Sequence, residues 1–474
     1  MSPLLRRMAV AGAAVLLVAL AIAWYRYVFP RPPRVELPSR PVVLHPGERI
    51  MIFAPHSDDE TLGAGGLIQR ALKTGAIVRV VLITNGDGFT LAAEDEFNSV
   101  RLTPERYIQF AYIRQGESLA ALESLGLPAG NVTFLGFPDR GTPDEWEYHW
   151  RRSDPYTSRY TRLSHSPYRN SYVKDAPFCG AALASELRSL LDEFKPDTIV
   201  LPHPNDMHPD HWGTYNFVMY ALAQLEAPNG RRNLFERQPR LLHYLVHRGN
   251  WPAPKGYLPR AELVPPAPLL HVGTSWRAFP LDRQEAEEKH RAILRYRSQV
   301  QVMRRYLLSF ARSNDLFGVL PPPPTLTSIA QPVIVDPTED TVGREMEGGA
   351  DLEQVELWEK GGYVYLRLST RAKPTLASSY LVHVHALPAA LDDPPLATDI
   401  RLRWVRGRLE AFTRPAPGKP SRSAGLPVQT AGRTVTVRLP RGVVGPWHRL
   451  FVAAESYTGA LRVDRTAWRY VVAQ

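Results

Sequence analysis

Arg49–Leu67, RIMIFAPHSDDETLGAGGL, is the stretch that decides the fold. Ile50 to Ala54 are apolar and partly β-branched, Pro55 breaks the run, and a helical pattern resumes at Leu62, so the segment reads as strand, tight loop, helix. The loop carries His56, Asp58, Asp59 and Glu60. Open α/β sheets place their ligands at the carboxyl ends of parallel strands. One imidazole and three carboxylates at such a position form a metal-site composition.

A second stretch answers the first. Asp197 to Leu201 reads as another buried strand, followed by Pro202-His203-Pro204-Asn205-Asp206-Met207-His208-Pro209-Asp210-His211. Neutral imidazole and carboxylate are the usual zinc ligands outside cysteine sites, and catalytic zinc keeps about three protein ligands plus water. One loop hardly closes that set, whereas two loops from neighbouring strand ends can. The competing reading is that the acids cap the helices starting near Thr61 and His211. Capping accounts for one aspartate per helix and leaves the paired loops unexplained.

Ala54-Pro55-His56-Ser57-Asp58-Asp59-Glu60 together with His208-Pro209-Asp210-His211 resembles the PIG-L/LmbE-like family of metal-dependent N-acetylglucosaminyl deacetylases. Its first motif is usually A-H-P-D-D-E; here a proline precedes the histidine and Ser57 replaces the motif's proline, a change in loop stiffness that keeps the ligands. Thr84–Gly88, Arg114–Glu117, Phe134–Asp139 and the Lys289–Gln299 segment are further family-like pieces, and the resemblance spans Ile50 to Gln301. It implies His56, Asp59 and His211 as ligands of Zn2+, with Fe2+ as the alternative metal. Asp58 becomes the general base, and His208 stabilises the oxyanion or acts as acid, its imidazole oriented by Asp210. Arg114 and Asp139 become candidates for holding sugar hydroxyls, although Arg114 pairs equally well with Glu117 along a helix. Glu60, Asp206 and His203 then support the ligands from behind, and His149, His165, His243 and His247 read as surface or packed residues. The implied activity is hydrolysis of the N-acetyl group of an N-acetylglucosamine-type sugar. A related amidase on another N-acyl substrate and an idle glycan-binding protein are the alternatives.

Length and composition frame this reading. A chain of 474 residues suggests two to four domains, and the single cysteine, Cys179, excludes an intrachain disulfide framework and any CxxC zinc site. Met8 to Trp24 is an apolar run after Arg6 and Arg7, expected to be a signal anchor within residues 1–29 that holds the enzyme on the outer side of a bacterial inner membrane or at the cell surface; the rival reading is a cleaved signal peptide ending near Ala21-Ile22-Ala23. A proline-rich linker (30–47), the deacetylase domain (48–318), a second proline-rich linker (319–332) and a C-terminal domain (333–474) complete the expected map.

Strands alternating with helices from Ile50 to Val246 predict an α/β, Rossmann-like doubly wound parallel sheet. The long aromatic insertion Asp139–Gly180 either walls a sugar cleft or packs onto its own domain. Past the Leu320–Pro324 proline run, short alternating segments such as Tyr363–Leu368 and Thr434–Leu439 predict an antiparallel β-sandwich, distantly similar to DOMON-type modules. The net charge of +10 comes without a dense Lys/Arg run or a reader motif, so no nucleic-acid partner is expected. The sequence leaves the oligomeric state open.

Overall fold

The computed structural model describes residues 16, 18–20, 41–225, 238–338, 348–387, 395–414, 425–444 and 449–472. The α/β unit runs β1 (Arg49–Ala54), α1 (Asp59–Thr74), β2 (Ile77–Thr84), α2 (Thr90–Glu96), α3 (Pro104–Ser124), β3 (Val132–Phe137), α4 (Thr142–Glu147), α5 (Gly180–Phe194), β4 (Thr198–Pro202), α6 (Pro209–Leu225), β5 (Arg240–Tyr244), β6 (Ser275–Pro280), α7 (Arg283–Ile293), α8 (Arg297–Leu307) and β7 (Asn314–Val319). Its seven strands lie in the order β3-β2-β1-β4-β5-β7-β6. The first five are parallel, and β7 and β6 extend the edge antiparallel. The chain moves outward from β1 through β2 to β3 and returns to place β4 on the other side of β1. The order therefore reverses between β1 and β4, the point where open α/β sheets bind ligands, and both histidine–aspartate loops leave the sheet there.

Local sequence explains the central unit. Ile50–Ala54 are fully buried because the sheet is covered on both faces. Gly75, at φ 83°, ends α1 by donating its N–H to Ala71 and Leu72 carbonyls, a left-handed C-cap that other residues adopt only at a cost. Inside α1, the buried Lys289 of α7 donates from Nζ to the Leu62 carbonyl at 2.8 Å and to Asp315 Oδ1 at 2.6 Å, while Asp315 Oδ2 accepts from Leu67 N at 2.9 Å. Three elements are thus joined through one desolvated ion pair.

The long insertion packs inward. Trp146 is buried, with ring centroids of Phe217, His385, Phe451 and Trp468 within 5.1–5.8 Å. Tyr156 and Tyr168 are also buried, whereas Tyr148 and Tyr172 are exposed.

The C-terminal unit contains β8 (Gln331–Val335), β9 (Leu352–Lys360), β10 (Tyr363–Thr370), β11 (Ser378–Ala386), β12 (Leu396–Val405), β13 (Arg408–Arg414), β14 (Val428–Ala431), β15 (Thr434–Pro440), β16 (Arg449–Thr458), β17 (Leu461–Arg465) and β18 (Arg469–Val472). Its sheets, β14-β15-β10-β9-β8 and β13-β12-β11-β16-β17, are antiparallel, and β18 pairs with β16. Val355, Leu366 and Val437 from one sheet share a core with Val382, Ile400 and Val452 from the other.

The expected membrane anchor is not supported. Among the described residues no helix is long and apolar enough to cross a membrane. In the N-terminal stretch, helix is described only at Leu16 and Val18–Leu20, and the rest of the expected anchor lies outside the described residues. Physically the run is short: Met8–Trp24 as a helix at ~1.5 Å per residue reaches about 25 Å, against about 30 Å of hydrocarbon. The extracytoplasmic, membrane-tethered placement built on that anchor is withdrawn with it.

Two expectations follow from this packing. Lys289→Met leaves Asp315 charged and buried without its partner, and is expected to cost about 3–5 kcal/mol, read as a lowered denaturant midpoint; an unchanged midpoint contradicts it. In the sandwich, burial alone would lower the pKa of His383, but Asp399 at 2.9 Å and Glu455 at 3.9 Å reverse this and raise it to about 9. Burial alone would raise Glu455, but His383 and Arg465 bring it down to about 2. The glutamate's contribution is complete above its ordinary value near 4.5 and is lost as pH falls toward 2, whereas the histidine's is complete below 6.5 and is lost as pH rises through 9. His383→Gln should therefore narrow the stability difference from wild type as pH is raised from 6 to 10, measured by thermal unfolding.

Candidate metal centre

Asp59 Oδ2 is where the two loops meet. It lies 3.0 Å from His56 Nδ1 and 3.0 Å from His211 Nε2, joining the end of β1 to the first turn of α6. The parallel register Ile50↔Thr198 through Ile52↔Val200 brings these strand ends side by side. The structure thus brings together His56, Asp59 and His211.

The backbone at the loop's apex is unusual. Asp58 has φ 135° and ψ −33°, and its side chain makes no capping bond to α1, although its carbonyl accepts from Thr61 N at 3.0 Å and Leu62 N at 2.9 Å. Its amide donates to Glu60 Oε2 at 3.0 Å, and its carboxylate lies 3.6 Å from the Arg114 guanidinium. Burial, and then the neighbouring Asp59 charge, raise the proton affinity of this carboxyl, with Arg114 pulling against them. Capping does not explain Asp58.

The second loop is organised by Asp206. Its Oδ2 accepts from Val246 N and His247 N at 2.9 Å and lies 3.1 Å from His211 Nδ1, while Oδ1 accepts from His208 N at 2.9 Å. Burial alone would lower the His211 pKa; Asp206 and Asp59 reverse it to about 9. His208 lies over His56 with ring centroids 4.6 Å apart. Its Nδ1 accepts from Asp210 N at 3.3 Å, so the neutral ring carries its proton on Nε2. Burial, then the charges of His56 and His211, keep it neutral.

Several residues take places other than the ones expected. The Asp210 carboxylate lies 3.9 Å from His208 Nδ1 but 3.1 Å from His56 Nε2, and it accepts from Arg140 N and Thr142 Oγ1 at 2.7 Å. Arg114 is buried and spent on protein, donating to Ser57 O at 2.7 Å and Gly86 O at 2.9 Å. Gly86 is required there, since a Cβ would meet Arg114 Nη1 at 1.8 Å. Asp139 Oδ1 stands 3.6 Å from His56 Nε2, and its Oδ2 accepts from Gly88 N at 3.0 Å. His203 stacks on Trp276 and bonds Thr274 Oγ1 at 3.0 Å, away from the ligand histidines.

Sequence reasoning missed three neighbours. His247, set aside as a packed residue, stands 4.8 Å from His211 ring to ring. Asp87 accepts from Asp139 N at 3.0 Å and Tyr168 Oη at 3.1 Å, and burial, reinforced by Asp139, pushes its carboxyl up to about 7. Tyr296 donates to Glu60 Oε1 at 2.6 Å. The signals were present in the Thr84–Gly88 and Lys289–Gln299 pieces, without a role attached.

The donor set suits a divalent cation. His56/His208/His211, Asp59/His211/His247 and His56/Asp139/Asp210 each hold donor atoms within 4.8 Å of one another. Asp59 Oδ1 is buried with no hydrogen-bond partner, while the two His211 ring nitrogens face carboxylate oxygens at 3.0 and 3.1 Å. Buried imidazoles and carboxylates that converge in this way are a donor set a divalent cation satisfies.

Residues 51–222 match the PIG-L family, described as GlcNAc-PI de-N-acetylase. This segment is a PIG-L domain. A 1D-myo-inositol 2-acetamido-2-deoxy-alpha-D-glucopyranoside deacetylase from Mycobacterium sp. (strain KMS) is 32% identical over 38% of this chain and 52% of its own length. One from Kribbella flavida is 28% identical over 40% of this chain and 58% of its own length. The chain thus spans about half the length of these curated relatives. The N,N'-diacetylchitobiose deacetylase from Pyrococcus horikoshii overlays with a TM-score of 0.34 at 19% identity, covering 55% of this chain and 75% of that one, a score too low to bear on fold or function. The matched PIG-L segment includes every predicted site residue, from His56 to His211.

The Asp58 backbone yields a prediction. Asp58→Gly removes a buried carboxyl and relieves a conformation that costs an L residue about 1–3 kcal/mol. In chelator-treated protein the variant is expected to melt above wild type, and a lower melting temperature would refute the strain.

Proposed function

We propose that the chain is a zinc-dependent hydrolase that removes the acetyl group from an N-acetylglucosamine-type sugar of a glycan or glycoconjugate. The observation that carries this reading is the meeting of His56 and His211 at one Asp59 oxygen, with the second oxygen of that carboxylate buried and without a hydrogen-bond partner. The similarity to deacetylases of a 2-acetamido-2-deoxyglucopyranoside supports the substrate class.

His56, Asp59 and His211 would hold the metal, with His247 close to Asp59 and His211. Bound there, a divalent cation supplies Lewis acidity toward the amide carbonyl and lowers the pKa of water. Asp58 acts as general base: its proton affinity is raised by burial, which brings it toward the operating pH of a base. It takes the proton as the water oxygen bonds the acyl carbon. His208, neutral and protonated on Nε2, donates a hydrogen bond to the developing oxyanion. When the carbon–nitrogen bond breaks, the proton held by Asp58 passes to the departing amine, leaving acetate and a free amino sugar. Asp210 and Asp139 fix the His56 ring, and Arg114 holds the Ser57 and Gly86 turns that shape the base's position.

Elemental analysis of purified protein should find about one divalent ion per chain, and His56→Ala and His211→Ala should each lose it. Asp58→Asn should keep the ion while acetate release from N-acetylglucosaminyl substrates falls by about 10²–10⁴-fold. Wild-type turnover in Asp58→Asn removes the base assignment. A substrate panel in which longer N-acyl groups are released faster than acetate replaces the substrate class.

A further inference from the structure

A cavity of about 860 Å³ opens where the α/β unit meets the sandwich, between α6, β5, the Pro321–Pro324 run, β8 and β18. Ligand sites typically measure about 300–1,000 Å³, are mostly apolar and hold a few placed polar groups. Along α6, Tyr215, Met219 and Leu222 present one helical stripe to it at i, i+4 and i+7, and Val333 faces them from the sandwich.

Six polar side chains line the same space, among them Arg449, which donates to the Ala223 carbonyl, and three others that bear on its ligand. His243 is 1% exposed; its Nδ1 lies 3.1 Å from the Gly318 carbonyl, and a bond donated there leaves Nε2 as an acceptor that has no partner. Burial lowers its pKa to about 4, so the ring is neutral. Arg469 donates to Trp468 O at 3.2 Å and Asn205 Oδ1 at 2.9 Å, both uncharged acceptors; burial lowers its proton affinity, and the buried Asp336 acts on it only through space, with no carboxylate in ion-pair contact among the described residues. The third is Tyr215, whose ring stands 5.8 Å from that of His243. A desolvated cation facing an apolar cavity asks for an anion, and a buried ring acceptor asks for a hydroxyl.

We propose that this junction cavity binds a single-chain amphiphile whose head carries an anionic oxygen and a hydroxyl, the chemistry of a monoacyl glycerophosphate. The chain lies against Met219, Leu222 and Val333, the anionic oxygen pairs with Arg469, and the head-group hydroxyl donates to His243 Nε2. The site is separate from the metal centre and does not depend on the proposed deacetylation.

Isothermal titration of the full chain below the micellar limit, with 1-lauroylglycerol 3-phosphate as probe, tests this. Saturable one-site binding is expected, at least tenfold tighter than for monolaurin or glycerol 3-phosphate. Arg469→Gln should weaken the phosphate probe at least tenfold and leave monolaurin unchanged, and Arg469→Lys should recover most of the loss. Met219→Trp and, from the opposite wall, Val333→Trp should each abolish binding while keeping the thermal unfolding transition. Absence of saturable binding, equal affinity for glycerol 3-phosphate, or full binding by both folded tryptophan variants overturns the proposal.

Discussion

A single carboxylate oxygen, Asp59 Oδ2, is the point on which this architecture turns. It stands 3.0 Å from imidazoles belonging to loops about 150 residues apart in sequence, and only the reversal of strand order between β1 and β4 makes that contact possible. Placing clustered carboxylates and imidazoles in a space cleared of water is expensive unless every charge is matched. Burial raises Asp58, while Asp59 and Asp206 are held below the ordinary carboxylate range against their own burial by the imidazoles beside them. The centre is first of all an electrostatic balance, and the carboxylates that favour protonated imidazole are equally suited to stabilise a divalent cation.

Holding that balance recruits residues well outside the two loops. Glu60 accepts from Ser118 of α3, from Tyr296 at the start of α8 and from the Asp58 amide, so one buried carboxylate ties the apex of the first loop to two helices. Arg114 clamps the turn after β1 to the turn after β2. Asp206 binds four groups of its own and the neighbouring loop, fixing His208 and His247 relative to His211. A misplaced ligand would have to break several charge-assisted hydrogen bonds at once, each worth more than a neutral one. Pre-organisation of this kind keeps the donor atoms of the two loops side by side, with Asp59 Oδ1 left without a partner.

The parts of this arrangement that were legible in sequence are those written in local pattern. Continuous apolar runs ended by proline or glycine gave the strands and their helices, alternation gave the sandwich, and two clustered His/Asp loops gave the centre. His247 was not legible because its approach to His211 depends on where β5 lies in the sheet, a non-local fact. Asp87 and Tyr296 sat in recognised pieces, but a carboxylate or phenol becomes informative only once its partner is known. Asp210 was read by proximity in sequence as a partner of His208, whereas the α4 segment, through Thr142, turns its carboxylate toward His56. The apolar N-terminal run was over-read because its composition resembles a membrane segment while its length sits at the short limit of what spans hydrocarbon.

The sandwich is more than an appendage to the catalytic sheet. Arg465 stacks over Trp212 of α6 at 3.9 Å and pairs with Glu147 of α4 at 2.6 Å, and Arg469 donates to Asn205 within the histidine loop. Trp146 sits in an aromatic nest contributed by both units. These contacts fall on α4 and α6, which carry Thr142 and His211 and therefore set the second half of the metal centre. An isolated α/β unit would expose Trp146 and lose the cations over Trp212 and at Asn205. The loop bearing His208 and His211 would then be held only from the sheet side, and the sandwich belongs to the physical definition of the site even though it contributes no donor atom.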